Sequence, residues 1–271
     1  MNFTRLMAEI EALSDLHNVE TRVIGRSVLG RPIYAFHVGS RCTRSQVIIT
    51  GAIHAREWIT ALLVAELVKI YSAQGITRGG IWFVPLCNPD GVQIALDVPG
   101  RELWKANARG VDLNVNFDVD WGGGTGNVMT AGAENYIGLT PNSEPEVQAL
   151  INFTTEVNPK ITVAYHSKGE VIYYGFQSLD CRVTRRELAR VASLARKIGR
   201  FTGYVPEKTK NSTGGYSDWV LMHLGVPALT IEVGSDDYPH PIGRDKLPEI
   251  LAQNKDVPEV LLAEAVRYSR S

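Results

Sequence analysis

With 271 residues, 44% of them hydrophobic, and no low-complexity stretch, residues 1–271 are expected to form one globular domain with a sizeable core. A formal net charge of −1 gives no basic excess suited to nucleic acid or an anionic membrane, so neither is expected as a partner. No apolar run reaches transmembrane length and no signal-peptide core follows Met1, while Cys42, Cys87 and Cys181 are odd in number and scattered, which points to reduced thiols in a cytoplasmic setting.

The amino-terminal segment reads as a polar helix carrying Glu9, Glu11 and Asp15, followed by strands over residues 21–28 and 33–38. Val47, Ile48, Ile49 and Thr50 form a short, mostly β-branched run that predicts a buried strand over 47–53. From 57 to 71 the apolar positions Ile59, Leu62, Leu63, Leu67 and Ile70 recur at helical intervals, and 81–86 reads as another strand. Residues 87–141 carry Asn88-Pro89-Asp90-Gly91, Gly110 and Gly122-Gly123-Gly124, a density of turn residues that predicts a long irregular stretch. Ser143-Glu144-Pro145-Glu146 has the pattern of a capping box opening a helix to about 157. Strands over 161–165 and 171–174, helices over 185–201 and 217–223, a buried strand over 228–233 and a terminal helix over 247–268 complete the chain. No repeat or linker interrupts it, so the expected architecture is an α/β domain with a largely parallel sheet.

Ligands of such sheets bind beyond the carboxyl ends of the strands. His54 follows the 47–53 strand, three residues before Glu57 on the entry turn of a helix, which is zinc-ligand spacing. A hydrolytic zinc site takes three protein ligands and keeps one position open, and His166, at the end of the 161–165 strand, is the natural third. Glu232 ends the apolar run Ala228-Leu229-Thr230-Ile231, where an unpaired carboxylate is costly and a place beside a metal or cation accounts for it. Of the other histidines, His17 and His37 fall in polar or half-exposed surroundings, and His223 and His240 read as surface or capping residues; all four are taken as structural.

The ordered segments His54-Ala55-Arg56-Glu57-Trp58, Gly110-Val111-Asp112-Leu113-Asn114, Asn142-Ser143-Glu144, His166-Ser167, Gly214-Gly215 with Asp218-Trp219, and Thr230-Ile231-Glu232 resemble the zinc metallocarboxypeptidases of the carboxypeptidase A type. His166-Ser167-Lys168-Gly169-Glu170 and Trp104-Lys105-Ala106-Asn107 look closest to the bacterial γ-D-glutamyl-L-diamino acid peptidase branch. The resemblance implies a mixed, mostly parallel eight-stranded sheet with helices on both faces, and one zinc ion per chain on His54, Glu57 and His166. It implies Glu232 as general base and Asp112 as the carboxylate that orients the first zinc histidine.

Three departures from the family's pattern concern the substrate. Lys105 stands where the family usually has an arginine for the oxyanion, and lysine offers a point charge without the bidentate fork. Asn114-Val115 stands where an Asn-Arg pair grips a terminal carboxylate, so either another cation, such as Arg109, Lys168 or Lys210, supplies that charge or the substrate presents no standard carboxyl terminus. Lys210 occupies the position of the family's lid tyrosine, with Tyr216 and Tyr238 as possible substitutes. Arg56 matches a substrate-contacting arginine, and Ser217 falls at the floor of the specificity pocket, which argues against a dedicated acidic site for basic side chains.

The expected activity is hydrolysis of a C-terminal or γ-D-glutamyl-diamino acid amide bond in a peptide, including murein-derived peptides, with Glu232 and Lys105 catalytic and Arg56, Asn114, Lys168 and Lys210 binding substrate. A zinc-dependent deacylase of small acyl-amino acids and a zinc-binding homologue without turnover are the alternatives.

Overall fold

In the computed structural model, residues 1–175 and 183–269 are described; Cys181 lies outside them. Eight strands form one sheet: β1 Glu20–Arg26, β2 Pro32–Gly39, β3 Gln46–Thr50, β4 Gly80–Val84, β5 Ile161–His166, β6 Val171–Tyr174, β7 Val205–Lys208 and β8 Ala228–Glu232. Their order is β1-β2-β4-β3-β5-β8-β6-β7. The central run β4-β3-β5-β8 is parallel, as is β6-β7, whereas β1-β2, β2-β4 and β6-β8 are antiparallel. β3, β4 and β5 are buried along their whole lengths, which is why they read as continuous apolar runs rather than alternating ones.

The helices are α1 Phe3–Glu11, α2 Ile59–Gln74, α3 Pro89–Asp97, α4 Pro145–Val157, α5 Arg185–Thr202, α6 Tyr216–Leu224, α7 Leu247–Asn254 and α8 Val257–Tyr268. Neighbouring residues of β4 show that they cover both faces. Trp82 packs edge-on against Phe153 of α4 with ring centroids 5.2 Å apart, while Phe83 meets Tyr71 of α2 at 6.4 Å. Successive strand side chains point to opposite faces, so α4 and α2 lie on opposite sides of the sheet. α7 packs against α2 and α5, and α5 also against α8. No helix among the described residues is long and apolar enough to cross a membrane.

Four local expectations need correction. Asn88-Pro89-Asp90-Gly91 opens α3 instead of a loop: the Asn88 side chain accepts the Gly91 N–H at 3.0 Å and Pro89 sits where a helix needs no donor. The capping box at 143–146 does not form; Glu144 is the N-cap residue without a side-chain cap, and Ser143 Oγ donates to Glu144 Oε1 instead. The terminal helix divides in two, with Pro258 in the first turn of α8. His37 is fully buried, 3.1 Å from Gln46 Oε1 and packed on Trp82, and burial lowers its pKa.

Candidate metal centre

The turn after β3 is held by two tight constraints. Gly51 has no room for a side chain, since a Cβ there would stand 2.8 Å from the Thr60 carbonyl oxygen. Thr60 Oγ1 accepts the Ala52 N–H at 2.7 Å and donates to the Glu57 carbonyl at 2.8 Å. These contacts fold residues 51–60 back on themselves and bring His54 and Glu57, from either end of a short 3-10 turn over Ala55–Glu57, onto one side. His166 arrives from the end of β5, whose register places it directly opposite Glu232 on β8.

His54 Nδ1 lies 2.9 Å from Glu57 Oε1 and His166 Nδ1 lies 3.0 Å from Glu57 Oε2, with the two Nδ1 atoms 3.0 Å apart. All three residues are buried. Ligands bound at 2.0–2.2 Å around a tetrahedral centre stand roughly 3.3 Å from one another, so this set of two imidazole nitrogens and one carboxylate oxygen fits a zinc-sized divalent cation.

Behind His54, Asp112 Oδ1 stands 3.3 Å from its Nε2, and Asp112 Oδ2 lies 2.8 Å from Lys105 Nζ. Burial works against ionising Asp112, but Lys105 and His54 hold its carboxyl far below the usual range. Burial likewise opposes charging Lys105, and Asp112 outweighs it, raising the ammonium pKa. On the other side, Glu232 is pushed up to about 8, chiefly by burial, with His166 and Lys105 pulling the other way.

A cavity of about 390 Å³ opens from this cluster. His54, His166, Lys105 and Glu232 line its inner end, Asn114, Val115, Ser217 and Thr230 its walls, and Lys208, Thr209 and Lys210 its outer side. Ser217 and Thr230 share a hydroxyl hydrogen bond at 3.0 Å. Asp218, also on the wall, has its pKa raised to about 7 by burial.

Several expected substrate contacts are engaged elsewhere. The Lys168 ammonium donates to the carbonyls of Asp236 and Tyr238, the latter at 2.6 Å. Arg56 Nη1 pairs with Glu134 at 3.0 Å, and Arg109 pairs with Glu144 at 3.6 Å beside a separate depression. Tyr216 is wholly buried with its hydroxyl 2.8 Å from Thr154, and Tyr238 donates to Glu249 at 2.6 Å, so neither serves as a mobile tyrosine over the cavity. Two further residues were not among the expected site residues, His240 having been read as a surface or capping residue. Lys208 belongs to the polar edge strand β7, which gave no strand signal. His240 has a buried Nδ1 without a hydrogen-bond partner among the described residues, and the charges of Glu57, Arg56, Lys168 and His54 reach it.

The profile of the zinc carboxypeptidase family matches residues 6–255. The chain is 29% identical over 275 aligned residues to γ-D-glutamyl-L-diamino acid endopeptidase 1 of Lysinibacillus sphaericus, an alignment covering 89% of this chain and 67% of that protein. Its fold resembles that of carboxypeptidase A from Helicoverpa armigera, with a TM-score of 0.84 at 20% identity over 100% of this chain and 75% of the other. It also resembles murein-tripeptide amidase from Escherichia coli O157, with a TM-score of 0.64 at 23% identity over 96% and 95% of the two chains.

Proposed function

The chain belongs to the zinc carboxypeptidase family and is a hydrolase of the metallocarboxypeptidase type, and on that premise we propose that it cleaves a C-terminal or γ-D-glutamyl-diamino acid amide bond in short peptides, including peptides derived from murein. The observation that carries the reading is the convergence of His54, Glu57 and His166 on one point with Glu232 in register beside them. One zinc ion held by those three supplies Lewis acidity toward the scissile carbonyl and lowers the pKa of water toward neutrality.

The chain's own residues do the rest. Glu232 takes the proton of the attacking water and passes it to the departing amine, a role suited to a carboxylate held in register with the ligand His166. Asp112 fixes the His54 ring from behind. Lys105, at the inner end of the cavity, sets a positive charge where the oxyanion develops. Asn114 and Lys210 line the path of the substrate, while Arg56 is engaged by Glu134 and Lys168 by backbone carbonyls. The free, exposed Cys42 suits a reducing setting such as the cytoplasm.

The test is mass spectrometry of products after zinc-loaded protein meets a mixture of ordinary peptides and a γ-D-glutamyl-diaminopimelate tripeptide. Release of the terminal residue or of the diamino acid, lost on chelation and restored by zinc, is expected. Turnover of acylated amino acids alone would replace this reading with a deacylase, and a zinc-loaded protein that yields no product would replace it with a binding protein.

A further inference from the structure

Lys105 stands where the family usually has an arginine, and an ammonium lacks the fixed fork of a guanidinium. Its orientation has to come from its surroundings. Of the three N–H donors of the ammonium, Asp112 Oδ2 accepts one at 2.8 Å and Asn135 Oδ1 accepts a second at 3.3 Å. The same Asp112 oxygen also accepts the Asn135 backbone N–H at 3.2 Å, so residue 135 touches both members of the pair. The chain around it is tied on several sides. The Lys105 and Ala106 N–H groups donate to the Ala133 carbonyl at 2.9 and 3.0 Å, the Asp112 N–H to the Tyr136 carbonyl at 2.9 Å, and the Val128 N–H to the Asn135 carbonyl at 2.9 Å. Asn135 itself has φ +62°, in the left-handed region that asparagine tolerates better than most side chains. Successive side chains of an extended chain face opposite ways, and this turn breaks the alternation. Glu134 and Asn135 therefore both reach cations next to the cluster: Glu134 pairs with Arg56 at 3.0 Å, and Asn135 holds Lys105.

We propose that Asn135 is a positioning residue for the hydrolysis: it pins the Lys105 ammonium at a second point, so that the remaining N–H is held toward the oxyanion. The assignment rests on the hydrolase reading above and adds a residue outside every motif that carries the family resemblance. One acceptor alone leaves Nζ able to swing about a single hydrogen bond. Two acceptors from different segments, together with the bond to Cε, fix its position and the direction of the third N–H. Lys105 lines the inner end of the cavity beside His54, His166 and Glu232, so that third donor is the one a developing negative charge can meet. A neutral amide suits the place. Asp112 already balances the ammonium, and a second carboxylate would leave the group net negative where the reaction needs a cation. Lysine, aspartate and asparagine together supply the orientation that an arginine fork carries in one side chain.

The test compares Asn135→Gly, Lys105→Arg and the double variant with the native protein. Glycine accepts the left-handed conformation, so the backbone N–H stays on Asp112 and only the amide is lost. On the peptide that the native protein cleaves in the product assay above, Asn135→Gly is expected to lower kcat about tenfold with KM within about twofold of native. That is less than the loss of about 10²- to 10³-fold typical of removing an oxyanion donor outright, because the ammonium remains. Zinc affinity, read by competition with a chelator, should stay native. In the Lys105→Arg background the same change to glycine should cost less than about twofold, since the guanidinium brings its own fork. A second readout needs no turnover. The proton–nitrogen NMR correlation of the Lys105 ammonium in the zinc-loaded protein, assigned by its absence from Lys105→Arg, should be resolved in the native protein and broadened or lost in Asn135→Gly. Native kcat in Asn135→Gly, an equal penalty in the arginine background, or a fall in zinc affinity parallel to that in kcat overturns the proposal and leaves the hydrolase reading intact. If the native protein cleaves nothing, that reading falls; then, as when the arginine variant has no turnover, the ammonium signal decides, and a signal unchanged by Asn135→Gly or absent from the native protein overturns the assignment.

Discussion

Lys105 Nζ lies 2.8 Å from Asp112 Oδ2, so the cation at the inner end of the cavity is anchored by the same carboxylate that stands behind His54. Asp112 is fully buried and the Lys105 side chain is only 15% exposed, which makes each the main compensation for the other's charge. Removing one partner of a buried pair typically costs about 3–5 kcal/mol, because a lone charge remains, whereas removing both is far milder. Lys105→Met should therefore lower stability by that order in denaturant titrations, and Lys105→Met with Asp112→Asn should recover most of the loss. Additive effects in the double variant would show that the pair is not coupled.

The metal and the base are separable. Glu232→Gln preserves shape and removes the proton acceptor, so hydrolysis should fall by about 10²- to 10⁴-fold while one zinc per chain is retained. Asp112→Asn should instead weaken zinc binding by about 10- to 100-fold, read from competition with a chromogenic chelator. A Glu232→Gln protein that loses its zinc would place Glu232 among the ligands and sink the division of roles.

Thr60 ties Ala52 to Glu57 through a single buried hydroxyl. Valine at this position keeps the volume but orphans the Ala52 N–H, a change worth about 1–3 kcal/mol of stability. Zinc affinity should fall as well, because the same hydroxyl fixes the turn that carries His54 and Glu57. Thr60→Ser keeps the hydroxyl and should stay close to native in both measurements; a valine variant with native zinc affinity would show that the turn holds its shape without this tie.

The metal half of the site was legible because its residues sit at the ends of strands that announce themselves. β3, β5 and β8 are short apolar runs, and His54, His166 and Glu232 follow or end them. The outer half was not. β7 is a four-residue edge strand with exposed Val205, Glu207 and Lys208, so it carries no hydrophobic alternation to read, and its place beside β6 depends on pairing that sequence does not display. The commitments of Lys168 and Arg109 were hidden for a similar reason. Their partners, the Asp236 and Tyr238 carbonyls and Glu144, lie 35 to 70 positions away in the chain, and backbone acceptors leave no trace in residue type. Asn88-Pro89-Asp90-Gly91 failed differently: the residues that cap a helix also make turns, and only the Gly91 N–H donating to Asn88 distinguishes the two.

Asp218 offers a pH test away from the metal cluster. Burial raises its carboxyl from 3.8 to about 7, against the Gly215 N–H that donates to Oδ2 at 3.3 Å. A carboxyl whose pKa is higher in the folded state binds its proton more tightly there than in the unfolded chain. Its stabilising contribution is therefore full below pH 4 and is lost as pH rises through 7. The loss accrues at about 1.4 kcal/mol per pH unit across that window, on the order of 4 kcal/mol in all. Asp218→Asn keeps the shape and an acceptor for Gly215 but cannot ionise, so its stability should vary less with pH and exceed that of the native protein at pH 8. Denaturant unfolding of both proteins from pH 4 to 8 measures the difference directly, and since every other titrating group is common to the two, two parallel curves would mean that Asp218 is ionised in the folded protein throughout.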